Sequence, residues 1–156
     1  MEEKILQARR EFNKVIAFVT GEALTQELHS VEGEIFRMLL SLGRILLELF
    51  LRSVGTGHMG QTATMKNGAV VRYRRDSPRK YLSIFGEVTI VRAYYLKDGA
   101  KGVFPLEAQL NLPKRKYSYL LQKWMTLWGV RTTYEGAVET REDFLGLDVA
   151  HRPIQR

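Results

Sequence analysis

The stretch that decides the fold is residues 70–96, which read VVRYRRDSPRKYLSIFGEVTIVRAYYL. β-Branched and aromatic residues dominate it, and turn-forming residues separate their runs. We predict a short strand over 70–74, a turn at Asp76-Ser77-Pro78, and two strands over 80–85 and 88–96. Gly86-Glu87 suits a type II′ hairpin turn, because glycine at the first central position accepts a positive φ. The pattern therefore predicts a small antiparallel β-sheet.

Two helices are predicted before the sheet. Apolar residues recur at steps of three and four between residues 5 and 19, which indicates a helix over 2–20 that ends near Gly21. A second helix is predicted over 25–54, and Arg37, Ser41, Arg44 and Glu48 form one narrow polar stripe along it. Charges in this pattern argue against a membrane span. The broad apolar remainder must be covered, either by the chain's own core or by a homodimer or partner helix through residues 25–54.

The order of these elements predicts an α+β chain with a helical N-terminal hairpin, a small antiparallel β-sheet and C-terminal helices. Residues 1–57 form the helical region, 58–69 a glycine-rich linker, and 70–131 a basic β-hairpin domain with a following helix. Pro105 and Pro113 bracket a short helical segment. Trp124 and Trp128 fall one helical turn apart among leucines, which favours a core position. A last helix is predicted over 133–145, within residues 132–156.

Positive charge is concentrated in the middle of the chain. The 156 residues carry a net charge of +7. Residues 1–57 contribute 7 basic and 8 acidic side chains (−1), residues 58–131 contribute 14 and 4 (+10), and residues 132–156 contribute 3 and 5 (−2). A concentrated basic segment is typical of proteins that bind the phosphate backbone of nucleic acids.

The candidate DNA-binding residues lie in this basic segment. Tyrosines that could stack or donate hydrogen bonds interleave with the first set. On the predicted strand, Arg72 and Arg74 project to one face and Arg75 to the other. The alternative is a solvated edge strand whose charges prevent aggregation. The basic run before the next helix is equally consistent with phosphate binding and with an exposed turn. The two sets are Arg72, Arg74, Arg75, Arg79, Lys80 and Arg92, and Lys114, Arg115 and Lys116.

Several other functions are not supported by the sequence. The chain has no cysteine, which excludes disulfides, thiolate metal sites and a thiol nucleophile, and its three histidines lack metal-ligand spacing. We therefore expect no metal and no cofactor. The acidic residues Glu135, Glu139 and Glu142 fit a solvated helix face better than a catalytic site. The N-terminus does not resemble a signal peptide, so we expect a cytoplasmic protein.

The sequence resembles the ISKra family (the Kra-four group) of insertion-sequence DDE transposases. The resemblance extends over roughly residues 70–156 and depends on the order and spacing of its fragments. These are residues 73–75 (YRR), 82–88 (LSIFGEV), 92–95 (RAYY), 102–107 (GVFPLE) and 110–113 (LNLP), followed by Tyr117-Ser118 and two helices.

The family resemblance implies a DNA-binding role in transposition, with recognition of the terminal inverted repeats of the element. It also implies a helix-turn-helix that starts near residues 133–145. In this family the hairpin is often followed by a Cys-x-x-Cys-Gly knuckle, but residues 97–101 here are KDGAK, so zinc is not carried over. Family members continue into an RNase-H-like domain with three metal-binding carboxylates. We expect this chain to be the portion before that domain and to be inactive alone.

Overall fold

The structure is a computed structural model that describes residues 1–97, 99 and 101–131. Two long helices, α1 (Glu2–Thr20) and α2 (Leu28–Val54), are followed by a three-stranded antiparallel sheet in the order β1 (Thr62–Thr64), β2 (Val70–Ser83) and β3 (Gly86–Leu96). Two further helices, α3 (Pro105–Gln109) and α4 (Tyr119–Arg131), complete the described part. The chain is therefore α+β, which confirms the predicted fold class.

The helices α1 and α2 form an antiparallel hairpin. The Lys4 ammonium pairs with the Glu48 carboxylate, and the Ser53 hydroxyl contacts the Met1 sulfur at 3.6 Å. α1 ends at Thr20 and Gly21 is its C-cap, in agreement with the predicted end near Gly21. α2 begins at Leu28 rather than at residue 25, because residues Glu22–Thr25 form a separate 3₁₀ turn between the helices. Among the helices of the described residues, none has both the length and the hydrophobicity that a membrane span requires.

β2 is one continuous 14-residue strand, where the sequence predicted two short strands. It pairs with β3 from Arg72 opposite Leu96 to Ser83 opposite Gly86, and the predicted turn at Asp76-Ser77-Pro78 lies inside this ladder. That turn prediction was wrong. Pro78 fits the strand because its nitrogen faces the edge of β2 that β3 does not occupy, so no ladder hydrogen bond is lost.

The hairpin turn consists of Ile84 and Phe85, two residues before the predicted turn. The Ser83 hydroxyl accepts a hydrogen bond from the Phe85 N–H (3.0 Å) and donates one to the Gly86 carbonyl (2.8 Å). Gly86 follows the turn with φ +113°. Glycine is needed after the turn rather than inside it, since this left-handed conformation is costly for other residues.

The predicted linker contains part of the sheet. β1 pairs antiparallel with the start of β2, with Ala63 opposite Val71. The Tyr95 hydroxyl accepts a hydrogen bond from the Met59 N–H (2.7 Å) and donates one to the Gly60 carbonyl (2.8 Å). These bonds fix the segment between α2 and β1 against the sheet.

Two buried clusters hold the described part together around the sheet. The first surrounds Val71, Ala93 and Tyr95. The second joins Leu82 at the end of β2 to Leu121 on α4, and both tryptophans of α4 pack against it. The predicted core position of the tryptophans is therefore confirmed. The partly buried side chains of the second cluster are Ile84, Tyr117, Trp124, Met125 and Trp128.

Candidate nucleic-acid interface

The candidate site lies beside the edge of β2 that β3 does not occupy. β1 pairs with this edge at its start. At its end, the Leu82 N–H donates to the Lys116 carbonyl (2.7 Å), and the Leu82 carbonyl accepts from the Ser118 N–H (2.9 Å). The loop before α4 therefore lies against the far end of β2. Between these contacts, β2 extends for about 20 Å from Arg74 to Lys80, at about 3.3 Å per residue.

Seven of the nine predicted DNA-binding residues are exposed around this edge. Four belong to β2 and three to the loop that Leu82 holds beside it. Among the described residues, six of the seven have no ion-pair partner, and the exception is Lys80, whose Nζ lies 3.2 Å from Glu87 Oε1. We call this set the basic edge. It consists of Arg72, Arg74, Arg75, Lys80, Lys114, Arg115 and Lys116.

A β-bulge sets the directions of the arginines at the start of β2. Tyr73 pairs with Tyr95 and Arg75 with Tyr94, so Arg74 is an extra residue that interrupts the alternation of faces. Arg72 and Arg75 consequently share one sheet face. This corrects the prediction that Arg75 lies on the face opposite to Arg72. The Arg75 guanidinium lies 5.1 Å from the centre of the Tyr94 ring.

Arg79 and Arg92 are not part of the exposed surface. The Arg79 guanidinium donates to Glu107 Oε1 at 3.0 Å, and Arg92 donates to the same oxygen. The Arg92 guanidinium also stacks on Phe104, with 3.9 Å between its central carbon and the ring centre. Their side chains are only 15% and 10% exposed. This position corrects the expectation that they lie with the other cations, because one carboxylate holds both of them inside the domain.

Arg79 positions the loop that carries the other three cations. Its guanidinium donates to the carbonyl oxygens of Pro113 and of Arg115, the latter at 2.8 Å. Glu107 and the two backbone carbonyls together accept hydrogen bonds from both terminal nitrogens of the Arg79 guanidinium. Lys114, Arg115 and Lys116 are thus displayed on a loop whose backbone is fixed to the sheet.

The tyrosines of this region are mainly packing residues. Tyr95 is fully buried, and its ring lies 5.8 Å from the half-buried Tyr73 ring. Tyr94 packs on Phe104 at 5.1 Å. Burial raises the pKa of the Tyr81 phenol above its usual value, and desolvation together with the nearby Asp76 raises the pKa of Tyr73. Both phenols are therefore neutral at physiological pH and can act as hydrogen-bond donors.

Sequence reasoning missed Glu107, which organises this region. A signal was present, since it is one of four carboxylates among the 14 basic side chains of residues 58–131. A rare carboxylate in a strongly basic segment is a candidate internal counter-ion. The predicted helix-turn-helix near residues 133–145 lies outside the described residues. Within those residues, no group of three His, Asp or Glu side chains could hold a metal ion.

Compared with known protein families, with curated proteins and with solved structures, the chain matches none of them. The resemblance to insertion-sequence transposases therefore rests on the quoted sequence fragments.

Proposed function

We propose that the chain is a cytoplasmic, DNA-binding N-terminal portion of an insertion-sequence transposase, which binds the duplex at the ends of its element. The observation that carries this proposal is the basic edge, where six of seven exposed cations have no carboxylate partner among the described residues. Exposed cations without counter-charges are the groups that release counterions when they neutralise phosphates.

The arrangement of the basic edge favours a backbone ligand over a small anion. Its cations are distributed over an extended strand and an adjoining loop, rather than converging on one point. The segment from Arg74 to Lys80 extends about 20 Å, and the major groove of B-DNA is about 12 Å wide. Arg74 and Lys80 are therefore far enough apart along β2 to reach phosphates on both sides of a groove.

Preorganisation of the loop adds to this argument. Arg79 fixes the backbone of residues 113–115 before any ligand arrives. Less conformational entropy is then lost when Lys114, Arg115 and Lys116 engage phosphates. These contacts would position the protein on the duplex without reading its sequence. Sequence preference for inverted repeats would have to come from the predicted helix-turn-helix.

The test is a salt titration of binding to duplex DNA, followed by fluorescence anisotropy. If about six phosphates are engaged, affinity should fall about a thousandfold between roughly 50 and 200 mM salt. Replacing Arg74 and Arg75 by alanine should lower the slope of log K against log salt by about two units, on all sequences alike.

The matched control replaces Arg9 and Arg10, an adjacent exposed arginine pair on α1, by alanine. It removes the same charge from a region with a net charge of −1 and should leave the slope unchanged. Binding that is undetectable at low salt, or equal effects of the two double substitutions, would refute DNA binding by the basic edge.

A second function, a non-catalytic oligomerisation module, is favoured by a separate observation. Leu39, Leu46 and Phe50 on α2 are about half exposed, so the described residues do not fully cover the apolar side of this helix. In that alternative the cations of β2 protect a solvated edge strand. Self-association through α2 is in itself compatible with DNA binding, since it uses a different element; the two functions differ in the role they give to the cations of β2.

A further inference from the structure

The helical hairpin carries large apolar side chains that the described residues leave open to solvent. Leu39, Leu46 and Phe50 lie on α2, and Phe12 and Ile16 lie on α1. All five are between 46% and 53% exposed. Single exposed leucines are common in folded proteins, but several large apolar side chains exposed on one helical hairpin need an explanation.

Helical geometry places these five side chains on one side of the hairpin. Ala8 on α1 and Ile45 on α2 are buried, and the antiparallel alignment of Lys4 with Glu48 brings them to the same level. At about 100° per residue, Phe12 and Ile16 lie roughly 40° and 80° round α1 from Ala8.

The same calculation of angles applies to α2. Leu46, Leu39 and Phe50 lie roughly 100° to 140° round this helix from Ile45, in the same rotational sense. Because the helices are antiparallel, the same sense of rotation away from their contact leads to the same side. We call this set of five the apolar face.

We infer that the apolar face binds a second copy of this chain, so that two helical hairpins form a four-helix bundle. The exposed area, when all of it is buried, reaches the lower limit for such an interface. Each side chain leaves on the order of 100 Å² open, so five give roughly 500 Å² per protomer and roughly 1,000 Å² for the pair. A specific protein interface needs about 1,000 Å² in total, before flanking residues are counted.

The charge distribution favours a second copy over an acidic partner. Residues 1–57 carry a net charge of −1, so two copies do not repel each other strongly, whereas the +10 excess lies in residues 58–131. Association through the apolar face goes beyond DNA binding and does not depend on it. It also extends the predicted dimer surface, which was confined to residues 25–54, to include α1.

The experiment is sedimentation equilibrium of the full chain up to about 100 µM, a range that detects micromolar dissociation constants. Wild-type protein should reach twice the 18.0 kDa mass of the chain. Two double variants, Phe12→Glu with Ile16→Glu and Leu39→Glu with Leu46→Glu, should each raise the dissociation constant by about a hundredfold or more.

The matched control is Leu120→Glu. Leu120 is 44% exposed but lies on α4, outside the helical hairpin, so its replacement should leave the dissociation constant unchanged. Circular dichroism of each variant checks that the helices remain.

A second measurement uses the absence of cysteine from the chain, since Leu39→Cys introduces a unique thiol. Its alkylation should slow as protein concentration rises, and that of Leu120→Cys on α4 should not.

A monomeric wild-type chain at the highest concentration would overturn the inference. A dimer that neither double variant weakens would place the interface elsewhere. If only the α2 variant weakened it, the two-helix face would be wrong. Each of these results is independent of the salt titration, so failure of DNA binding and failure of self-association can be told apart.

Discussion

Replacing Glu107 by glutamine should destabilise the protein far more than the same replacement of Glu87. Both carboxylates pair with cations of β2 or β3, and both changes remove one negative charge with little change in volume. Their surroundings differ. Glu107 is bonded by Arg79 and Arg92, whose side chains are 15% and 10% exposed. Glu87 pairs with Lys80 at the surface, where the two side chains are 47% and 74% exposed.

The magnitude follows from these exposures. Removing one partner of a buried ion pair costs about 3–5 kcal/mol, because the remaining charge stays desolvated. Glu107 is itself 37% exposed, and solvent screens part of its field. We therefore expect a loss of about 2–3 kcal/mol for Glu107→Gln and at most about 0.5 kcal/mol for Glu87→Gln. For a chain of this size the first value corresponds to a decrease in melting temperature of about 4–10 °C.

Thermal and urea unfolding of the two variants beside the wild type measure this difference. Arg79 also holds the backbone of the loop that carries Lys114, Arg115 and Lys116. Glu107→Gln should therefore increase proteolysis near residues 113–116 under native conditions. Equal stability of the two variants would refute the reasoning. Arg79 and Arg92 would then be hydrated cations, available to phosphates together with the basic edge.

Two further substitutions test the packing. The Gly43→Ala variant should be less stable than the matched Gly33→Ala variant by about 1–3 kcal/mol in urea unfolding. A Cβ at position 43 would lie 2.5 Å from the Phe85 ring, whereas a Cβ at position 33 would meet nothing within 4 Å. Equal effects would show that the hairpin turn does not press on α2. Tyr95→Phe should lower the stability by about 1–3 kcal/mol, since the Met59 N–H and the Gly60 carbonyl, between α2 and β1, lose their hydrogen-bond partner. The control Tyr119→Phe, on the surface, should change the stability by less than about 0.5 kcal/mol. A neutral Tyr95→Phe would mean that water replaces both bonds.

The fold class could be predicted because periodicity is a local property of the sequence. Helical spacing located α1 to within a residue, and α2 except for its first turn. The predicted turn at Asp76-Ser77-Pro78 failed because turn propensity is also local, whereas the ladder between β2 and β3 supplies hydrogen bonds over the whole strand. Whether Pro78 breaks a strand depends on which edge its nitrogen faces. That depends on strand pairing, which is not visible in the residues alone.

The sequence located the candidate site only in part, because composition, like periodicity, is a local property. Composition located the basic segment, and seven of nine chosen cations are exposed. Composition could not separate Arg79 and Arg92 from their neighbours, because the carboxylate that binds them follows 28 and 15 residues later. The directions of Arg72 and Arg75 also depended on a bulge that simple alternation does not include. In both cases the missing information was the tertiary pairing of distant residues.

The packing of Phe85 on Gly43 connects the two proposed surfaces. This contact attaches the sheet to α2, and the hydrogen bond from the Ala93 N–H to the Thr56 carbonyl (2.8 Å) attaches it to the segment that follows α2. The basic edge therefore has a fixed position relative to the apolar face of the same chain. If two copies associate through their helices, two basic edges are held at one separation, and a duplex that reaches both must engage twice the number of phosphates. Each phosphate contributes about 0.9 to the slope of log K against log salt. On a long duplex the slope for a dimer should therefore be about twice that for a monomeric variant. On a duplex too short for both basic edges, the dimer and the monomeric variant should have the same slope.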